Sequence, residues 1–592
     1  MCGIFATLRT VEDQQTITDL LLGLKKLEYR GYDSWGVAYL QNKKLASYKQ
    51  LGNLDKQKKL AQKRIVSQIA LGHTRWATHG SVSLKNTHPH LDKKQGFALV
   101  HNGVIENYQE LKKKLQKVGY SFQSETDTEL IVALISMALD KKSKNISSKL
   151  LKNIQKQLVG RNTFVILEKS GNFFLSKNGL SLFLAKDKQN NYYLSSDLIS
   201  LPESCRYFYR FLDKELLLIK EGRMLLIDCN DQKKNIHWQK LKVQKKEIDQ
   251  NQFTSAMFKE INEQKYLFSE LWKNLSGEKL KKIKKIIQKK SKIFLIGAGS
   301  AYHVAHYLSY QLRSNNFQAF SINSGEVSSY LNLIDQNSLV IAISQSGETA
   351  DTLEAVEKSQ KNGAFALAVV NSPQSSLAHL SDYCFDLNIG KEIAVASTKA
   401  VTAQMAWGNF LLKKINGKSN LQEIKQEQKK LTHFINICNQ QSQELANLFL
   451  KEKNCFILGQ DKFLALAQEF ALKLKEIAYL HAEGFASSEL KHGVLALVEK
   501  ETLIFALVTD NQREKNTCLN SLAEAKSRGA KIIGVSKEKN TLFDKTILIP
   551  QLNILDDIAY IIPAQLLSYH LAVKAGRNPD RPRNLAKSVT VK

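Results

Sequence analysis

Apolar runs of strand length recur through the first 230 residues. FALVHNGV (97–104), NTFVILE (162–168) and NYYLSSD (191–197) read as strands, and 128–139 carries its apolar residues at helical spacing. The pattern predicts a layered domain of sheets and helices. From 231 to 252 the chain is charged with little apolar periodicity, which predicts a linker. Beyond it, KIFLIGAG (292–299), SLVIAIS (338–344) and AFALAVVN (364–371) alternate with helices expected to open near 301 and 348, the order of a parallel α/β sheet. This half also repeats: 292–312 matches NCFILGQDKFLALAQEFALKL (454–474) in its strand, its glycine (Gly297 and Gly459) and its helix. Two nucleotide-binding-like αβα units split near residue 430 are therefore predicted. Such sheets take ligands beyond the carboxyl ends of their strands.

A length of 592 residues implies several domains, and 43% hydrophobic with 24% charged residues is a soluble balance. No run approaches the ~18 apolar residues of a membrane span. MCGIFATLRT lacks the basic and apolar regions of a secretory signal, so a cytoplasmic location and no membrane partner are expected. Seven cysteines without a CxxC pair argue against a disulfide framework or zinc cluster, and the His88, His90 pair lacks further ligands at metal spacing, so no metal is expected. The net charge of +29 comes from lysines scattered over 112–114, 141–144, 279–290 and 425–430 with no nucleic-acid motif beside them. They read as solvated faces rather than a nucleic-acid site, with at most a general pull on anionic substrates.

Chemistry begins at Cys2. With Met1 removed, the cysteine's α-amine, of reference pKa about 8, serves as base for its own thiol. Alone, Met-Cys marks only where translation began. But LEYRGYDS (27–34), GHTRWATHG (72–80), NTHPH (86–90), VHNGVIEN (100–107) and SETDTEL (124–130) follow in order. Together with MCGI these segments resemble the glutaminase domain of the N-terminal-nucleophile amidotransferases over about 230 residues, which implies an αββα fold. On that resemblance Arg75 takes the glutamine α-carboxylate and Asp127 its α-ammonium, while Trp76, Thr78 and His79 help to hold the amino acid. Asn102, through its amide, and Gly103, through its N–H, form the oxyanion hole. Arg30, Tyr32 and Asp33 stay open between a structural and a direct role.

SQSGETADT (344–352) speaks to an acceptor. A buried strand runs into Ser344, Gln345, Ser346 and Gly347, and a helix is expected from about Glu348 with Thr349 in its first turn, gathering hydroxyls and unpaired N–H groups at a helix N-terminus. As a bare pattern this is an ordinary N-cap. In full it resembles the phosphate loop of sugar-isomerase (SIS) domains, and the second copy's ALVTDNQ (506–512) lacks it, so one phosphate site per chain is expected. VASTKA (395–400), with Val395 and Ser397, matches the second binding loop of that family. Glu469, Lys473 and Glu476 fall at i, i+4 and i+7 on one face with Leu472 and Leu480. The apolar flanks of that helix point these charges into a cleft rather than into an exposed ion-pair row. HAEGFASSELKHG (481–493) contributes His492, and RNLAKSVTVK (583–592) contributes Ala586 and Lys587.

Over nearly its full length the chain resembles the isomerizing glutamine–fructose-6-phosphate aminotransferases. The resemblance implies a glutaminase domain at 1–240 with a linker to about 255, then SIS domains at 256–430 and 431–592. It implies L-glutamine and D-fructose 6-phosphate as substrates, a homodimer, and no cofactor. Lys587 would carry the sugar as a Schiff base, His492 open its ring and Glu476 move a proton between C1 and C2. Lys473 and Glu469 would assist by charge, and Ser300 would contact the sugar phosphate. The chain departs from the family at 298–301, which reads AGSA against the usual CGTS, and at Lys265 and Val494, which replace prolines. Two other readings compete: an enzyme of the same layout acting on another sugar phosphate or as a deglycase, and a non-catalytic sugar-phosphate sensor. A sensor would not need Cys2, Glu476, His492 and Lys587 together.

Overall fold

In the computed structural model the described residues are 2–57, 60, 64–141, 145–241, 253–417 and 420–589. The chain divides into two compact units, Met1–Gln244 with Ser588–Lys592, and Lys245–Lys587.

The first unit is built on two antiparallel sheets. The eight-stranded one runs Gln239–Lys240, Tyr207–Arg210, Phe183–Lys186, Tyr192–Ser195, Gly3–Asp13, Ser67–Arg75, Ser34–Gln41, Lys44–Leu51. The seven-stranded one runs Lys233–Lys234, Arg223–Ile227, Leu216–Lys220, Phe173–Ser176, Asn162–Glu168, Phe97–Gly103, His90–Leu91. Strand alternation sets the layers. Ile4 and Ala6 meet Ala98 and Val100 in the core between the sheets, while Phe5 packs outward on the helix Gln15–Leu27. Phe97 and Leu99 face helices Tyr108–Lys117, Thr128–Lys141 and Ser148–Gln157. The order helix, sheet, sheet, helix is the predicted αββα sandwich. The expected linker begins later than its charge suggests: two short strands within 233–240 pair into the sheets. Residues 242–252 of that linker, and 142–144 of the lysine runs, lie outside the described residues.

The second unit holds two five-stranded parallel sheets. Each places its strands in the sequential order 2-1-3-4-5, around Lys292–Gly297 in one copy and Asn454–Gly459 in the other. The predicted repeat is thus a repeat of topology, with the chain order reversing beside strand 1 of each. Apolar residues of both sheets and of the helices Ala256–Asn274, Ser300–Arg313, Lys399–Ile415, Leu421–Phe449, Lys462–Ala478 and Ile562–Lys574 merge into one buried cluster. The helix Leu421–Phe449 runs straight through residue 430. No helix among the described residues is long and apolar enough to cross a membrane.

Candidate functional sites

In the first unit, Cys2 leads into a central strand whose neighbour in the sheet ends at Arg75, with Gly3 opposite Thr74. The thiol meets the turn after that strand: the Trp76 N–H donates to Cys2 Sγ at 3.4 Å. Burial pushes the thiol up, opposed by the Trp76 N–H and by Arg75. From the facing sheet, the Asn102 amide donates to the Cys2 carbonyl at 3.2 Å. His73 Nε2 sits 3.1 Å from Asn102 Oδ1 and 3.0 Å from the His101 carbonyl, so it carries the hydrogen and turns the Asn102 NH₂ toward Cys2. Gly103 has φ +142°, and a Cβ there would lie 2.3 Å from the Arg161 carbonyl. Only glycine fits that position.

The Arg75 guanidinium is buried and donates to the carbonyls of His79 (2.6 Å), Gly80 (3.3 Å) and Ser81 (3.3 Å). Asp33 braces the same loop by accepting from the Ala77 N–H at 2.8 Å, and Asp127 accepts from the Ile105 N–H at 2.9 Å. Trp76 packs edge-on against Tyr32 at 5.5 Å and His79 against Tyr108 at 5.3 Å. Thr78 is exposed. Arg30 is structural, ion-paired to Asp197 at 2.9 Å. The His88, His90 pair belongs to a buried imidazole cluster with His73 and His101, centroids 4.2 Å (73 to 88) and 4.9 Å (88 to 90) apart. Burial pushes all four down, His73 to about 3 and His88 and His90 well below the ordinary imidazole value, which favours their neutral forms. No group of side chains suited to a metal ion occurs among the described residues.

In the second unit the reversal point between Lys292–Gly297 and Ser338–Ser344 carries the predicted loop. Gly347 has φ +66°, and a Cβ would meet Ser375 Oγ at 2.1 Å. The following helix is Ala350–Lys361 with Thr349 as its N-cap at ψ 121°, two residues later than predicted. The N–H groups of Gly347 and Glu348 are not unpaired as expected, since they donate to Ser344 Oγ (3.0 Å) and Ser346 Oγ (3.2 Å). The Gln345 backbone carbonyl accepts from the Asn371 N–H at 3.1 Å.

The charges of the helix Lys462–Ala478 meet the helix Ser300–Arg313. Glu469 and Lys473 are buried as predicted, although Leu480 falls past the helix end at left-handed Tyr479. Lys473 Nζ reaches Glu476 at 2.6 Å, Glu469 at 3.4 Å and Ser300 Oγ at 3.1 Å. The two carboxylates push its ammonium up against the opposing pull of burial. The methyl of Ala301 packs on the shared apolar cluster instead.

A second cluster forms around Glu392, a residue that the sequence reading did not single out. Its side chain is fully buried and accepts from Lys587 Nζ (2.5 Å), Ser397 Oγ (3.1 Å) and the N–H groups of Thr398 (2.9 Å) and Ala400 (3.0 Å). Burial pushes its carboxyl up, and Lys587 with these donors more than offsets that. Glu260 accepts from the N–H groups of Ile393 and Ala394, and burial beside Glu392 raises it to about 8. The Val395 N–H donates to the Asp580 carbonyl at 3.0 Å, and Asp580 in turn accepts from the N–H groups of Ala256 (2.9 Å) and Met257 (2.8 Å), which anchors the C-terminal segment. Ala586 lies half-buried beside Lys587. His492 joins neither cluster: it is exposed, and its ring has no hydrogen-bond partner among the described residues.

Comparison with known proteins agrees with this division. The SIS domain family matches residues 285–414 and 448–575, and a glutamine amidotransferase domain family matches 73–203. The glutamine–fructose-6-phosphate aminotransferase (isomerizing) of Caldanaerobacter subterraneus subsp. tengcongensis is 34% identical over 615 residues, covering all of both chains. That of Sulfolobus acidocaldarius is 33% identical over 617 residues, again with full coverage of both. Among solved structures, the C-terminal domain of the Francisella tularensis glucosamine-fructose-6-phosphate aminotransferase is 31% identical with TM-score 0.51, covering 57% of this chain and 100% of that one.

Proposed function

The chain belongs to the family of isomerizing glutamine–fructose-6-phosphate aminotransferases, and from that membership we propose that it converts L-glutamine and D-fructose 6-phosphate into L-glutamate and D-glucosamine 6-phosphate, the entry to amino-sugar synthesis. The observation that carries this reading is the coexistence of two chemically complete groups in one chain. One is a Cys2 thiol receiving the Trp76 N–H beside the Asn102 amide; the other is buried Lys473 between Glu469 and Glu476, with Lys587 buried on Glu392.

Cys2 attacks the glutamine amide, with Arg75 and Asp127 reading its two charged ends, Trp76, Thr78 and His79 covering it, and Asn102 and Gly103 receiving the oxyanion. The released ammonia is passed internally to the sugar. There the phosphate rests against Ser300, Ser344, Gln345, Ser346 and Thr349, and the sugar against Val395, Ser397 and Ala586. Lys587 forms the imine, Glu476 moves the proton between C1 and C2 with Lys473 holding its charge, and His492 opens the ring. An amine and carboxylates are the groups this chemistry calls for, without a metal or organic cofactor. The domains are assigned as 1–240 with a linker to about 255, 256–430 and 431–592, the last two sharing one core. The enzyme is assigned to the cytoplasm as a homodimer with no nucleic-acid or membrane partner. Purified protein given glutamine and fructose 6-phosphate should release glucosamine 6-phosphate and glutamate together. Glutamate release without the amino sugar would mean that another acceptor is used.

A further inference from the structure

The helix Ser300–Arg313 meets the helix Lys462–Ala478 through two polar rungs. Ser300 and His303, one turn apart on the first, face Lys473 and Glu469, one turn apart on the second. His303 Nδ1 lies 2.8 Å from Glu469 Oε2, shorter than the 3.4 Å between Glu469 Oε1 and Lys473. Glu469 is ionised: burial pushes it up, but Lys473 and His303 bring it below the usual carboxylate range. A carboxylate only accepts, so His303 Nδ1 carries the hydrogen and donates it. The contact spans 166 residues of sequence, and none of the roles assigned above includes His303.

The geometry points to His303 as a positioning residue that decides which carboxylate holds Lys473. This rests on the proposed role of Glu476. Lys473 has two anionic neighbours and leans on Glu476, at 2.6 Å against 3.4 Å. Glu469 is the more deeply buried of the two, with 2% of its side chain exposed against 23% for Glu476, so with only the Ser300 hydroxyl as a further donor it has the stronger claim on the ammonium. His303 satisfies the far oxygen of Glu469 and leaves Lys473 free to stay with Glu476. The groups facing this imidazole are Glu469 and Lys473 from the opposite helix, and Tyr302 and His306 from its own. Removing the donor draws Lys473 toward Glu469. Glu476 then loses the ammonium that orients it, and the proton transfer it carries out is slowed.

The test is fructose 6-phosphate isomerisation in His303→Leu and His303→Asn. Asparagine carries an N–H at the same number of bonds from the backbone as Nδ1. Leucine should lower kcat about 10- to 100-fold, part of what a positioned base contributes, with KM changed by less than about threefold. Asparagine should recover kcat to within about threefold, which also answers a folding defect. A leucine variant with unchanged kcat overturns the inference. An asparagine variant as impaired as leucine also overturns it, because the ring would then be transferring protons itself. Glu476→Gln separates the premise: if that variant isomerises normally, the assignment of the base falls, and the inference with it.

Discussion

Replacing Glu392 by glutamine sets an amide where the C-terminal lysine has its buried counter-ion. Glu392 exposes none of its side chain and Lys587 4%, at a separation of 2.5 Å. The glutamine Oε1 can keep the Thr398 and Ala400 N–H groups and its NH₂ can donate to the Ser397 hydroxyl, but toward the ammonium it stands donor against donor. Removing one partner of such a pair destabilises by about 3–5 kcal/mol where the other cannot leave. Here it can. Lys587 sits seven residues beyond the Asp580 anchor, on a segment that also holds Tyr479 through the Arg583 N–H, 2.6 Å from the Tyr479 OH, and through the Arg583 guanidinium over its ring. The loss therefore appears as undocking, capped at about 1.5–3 kcal/mol, or a 10- to 100-fold fall in docked lysine. Two assays read it: the rate of borohydride trapping of fructose 6-phosphate on Lys587, and tryptic cleavage after Lys587. Combined with Lys587→Met, which removes that site, and read instead by tryptic cleavage after Arg583, the pair should give a coupling energy of about 1–3 kcal/mol. A Glu392→Gln enzyme that traps sugar and resists trypsin like the parent would refute the reasoning, and so would zero coupling.

Cys2→Ala should abolish glutamate release while fructose 6-phosphate isomerisation persists; loss of both in a folded protein contradicts the modular reading. Gly103→Ala forces a Cβ to 2.3 Å from the Arg161 carbonyl, so glutamine turnover should fall about 100-fold or more, the scale of a lost oxyanion donor, while isomerisation is retained. Acid should weaken the first unit through its four buried imidazoles. His73 is held at about 3 and His88, His90 and His101 are also pushed down, so the unfolded chain binds more protons as pH falls below the ordinary imidazole value of ~6.5. Its melting temperature should drop steadily from pH 7 to pH 4, and a flat profile would argue against a neutral cluster.

What the sequence made legible followed from local pattern. The strand 338–344 is buried at every position and was readable as a continuous apolar run. The burial of Glu469 and Lys473 was readable from the apolar flanks of their helix. The strands within 233–240 were not, because each is two residues long and polar, and Lys234 is fixed by an ion pair to Glu215 at 2.8 Å that its own segment does not announce. The late start of the helix after the phosphate loop lies in the extended ψ of Thr349, which composition does not encode. Glu392 and His303 were hidden for another reason. Their partners lie 195 and 166 residues away, and no spacing within a helix or loop announces such a contact. The exposed ring of His492 is the converse case, a residue whose motif drew notice while its ring makes no hydrogen bond among the described residues.

The helix Leu421–Phe449 makes the sugar-handling half indivisible as a unit of exchange. A recombination junction at residue 430 would sever a 29-residue helix that packs on the helices Ala256–Asn274 and Ile562–Lys574, one from either side of that point. A chimera meant to give this chain a different acceptor must therefore transplant the two sheets together, and fragments expressed separately from either side of that point should aggregate rather than fold.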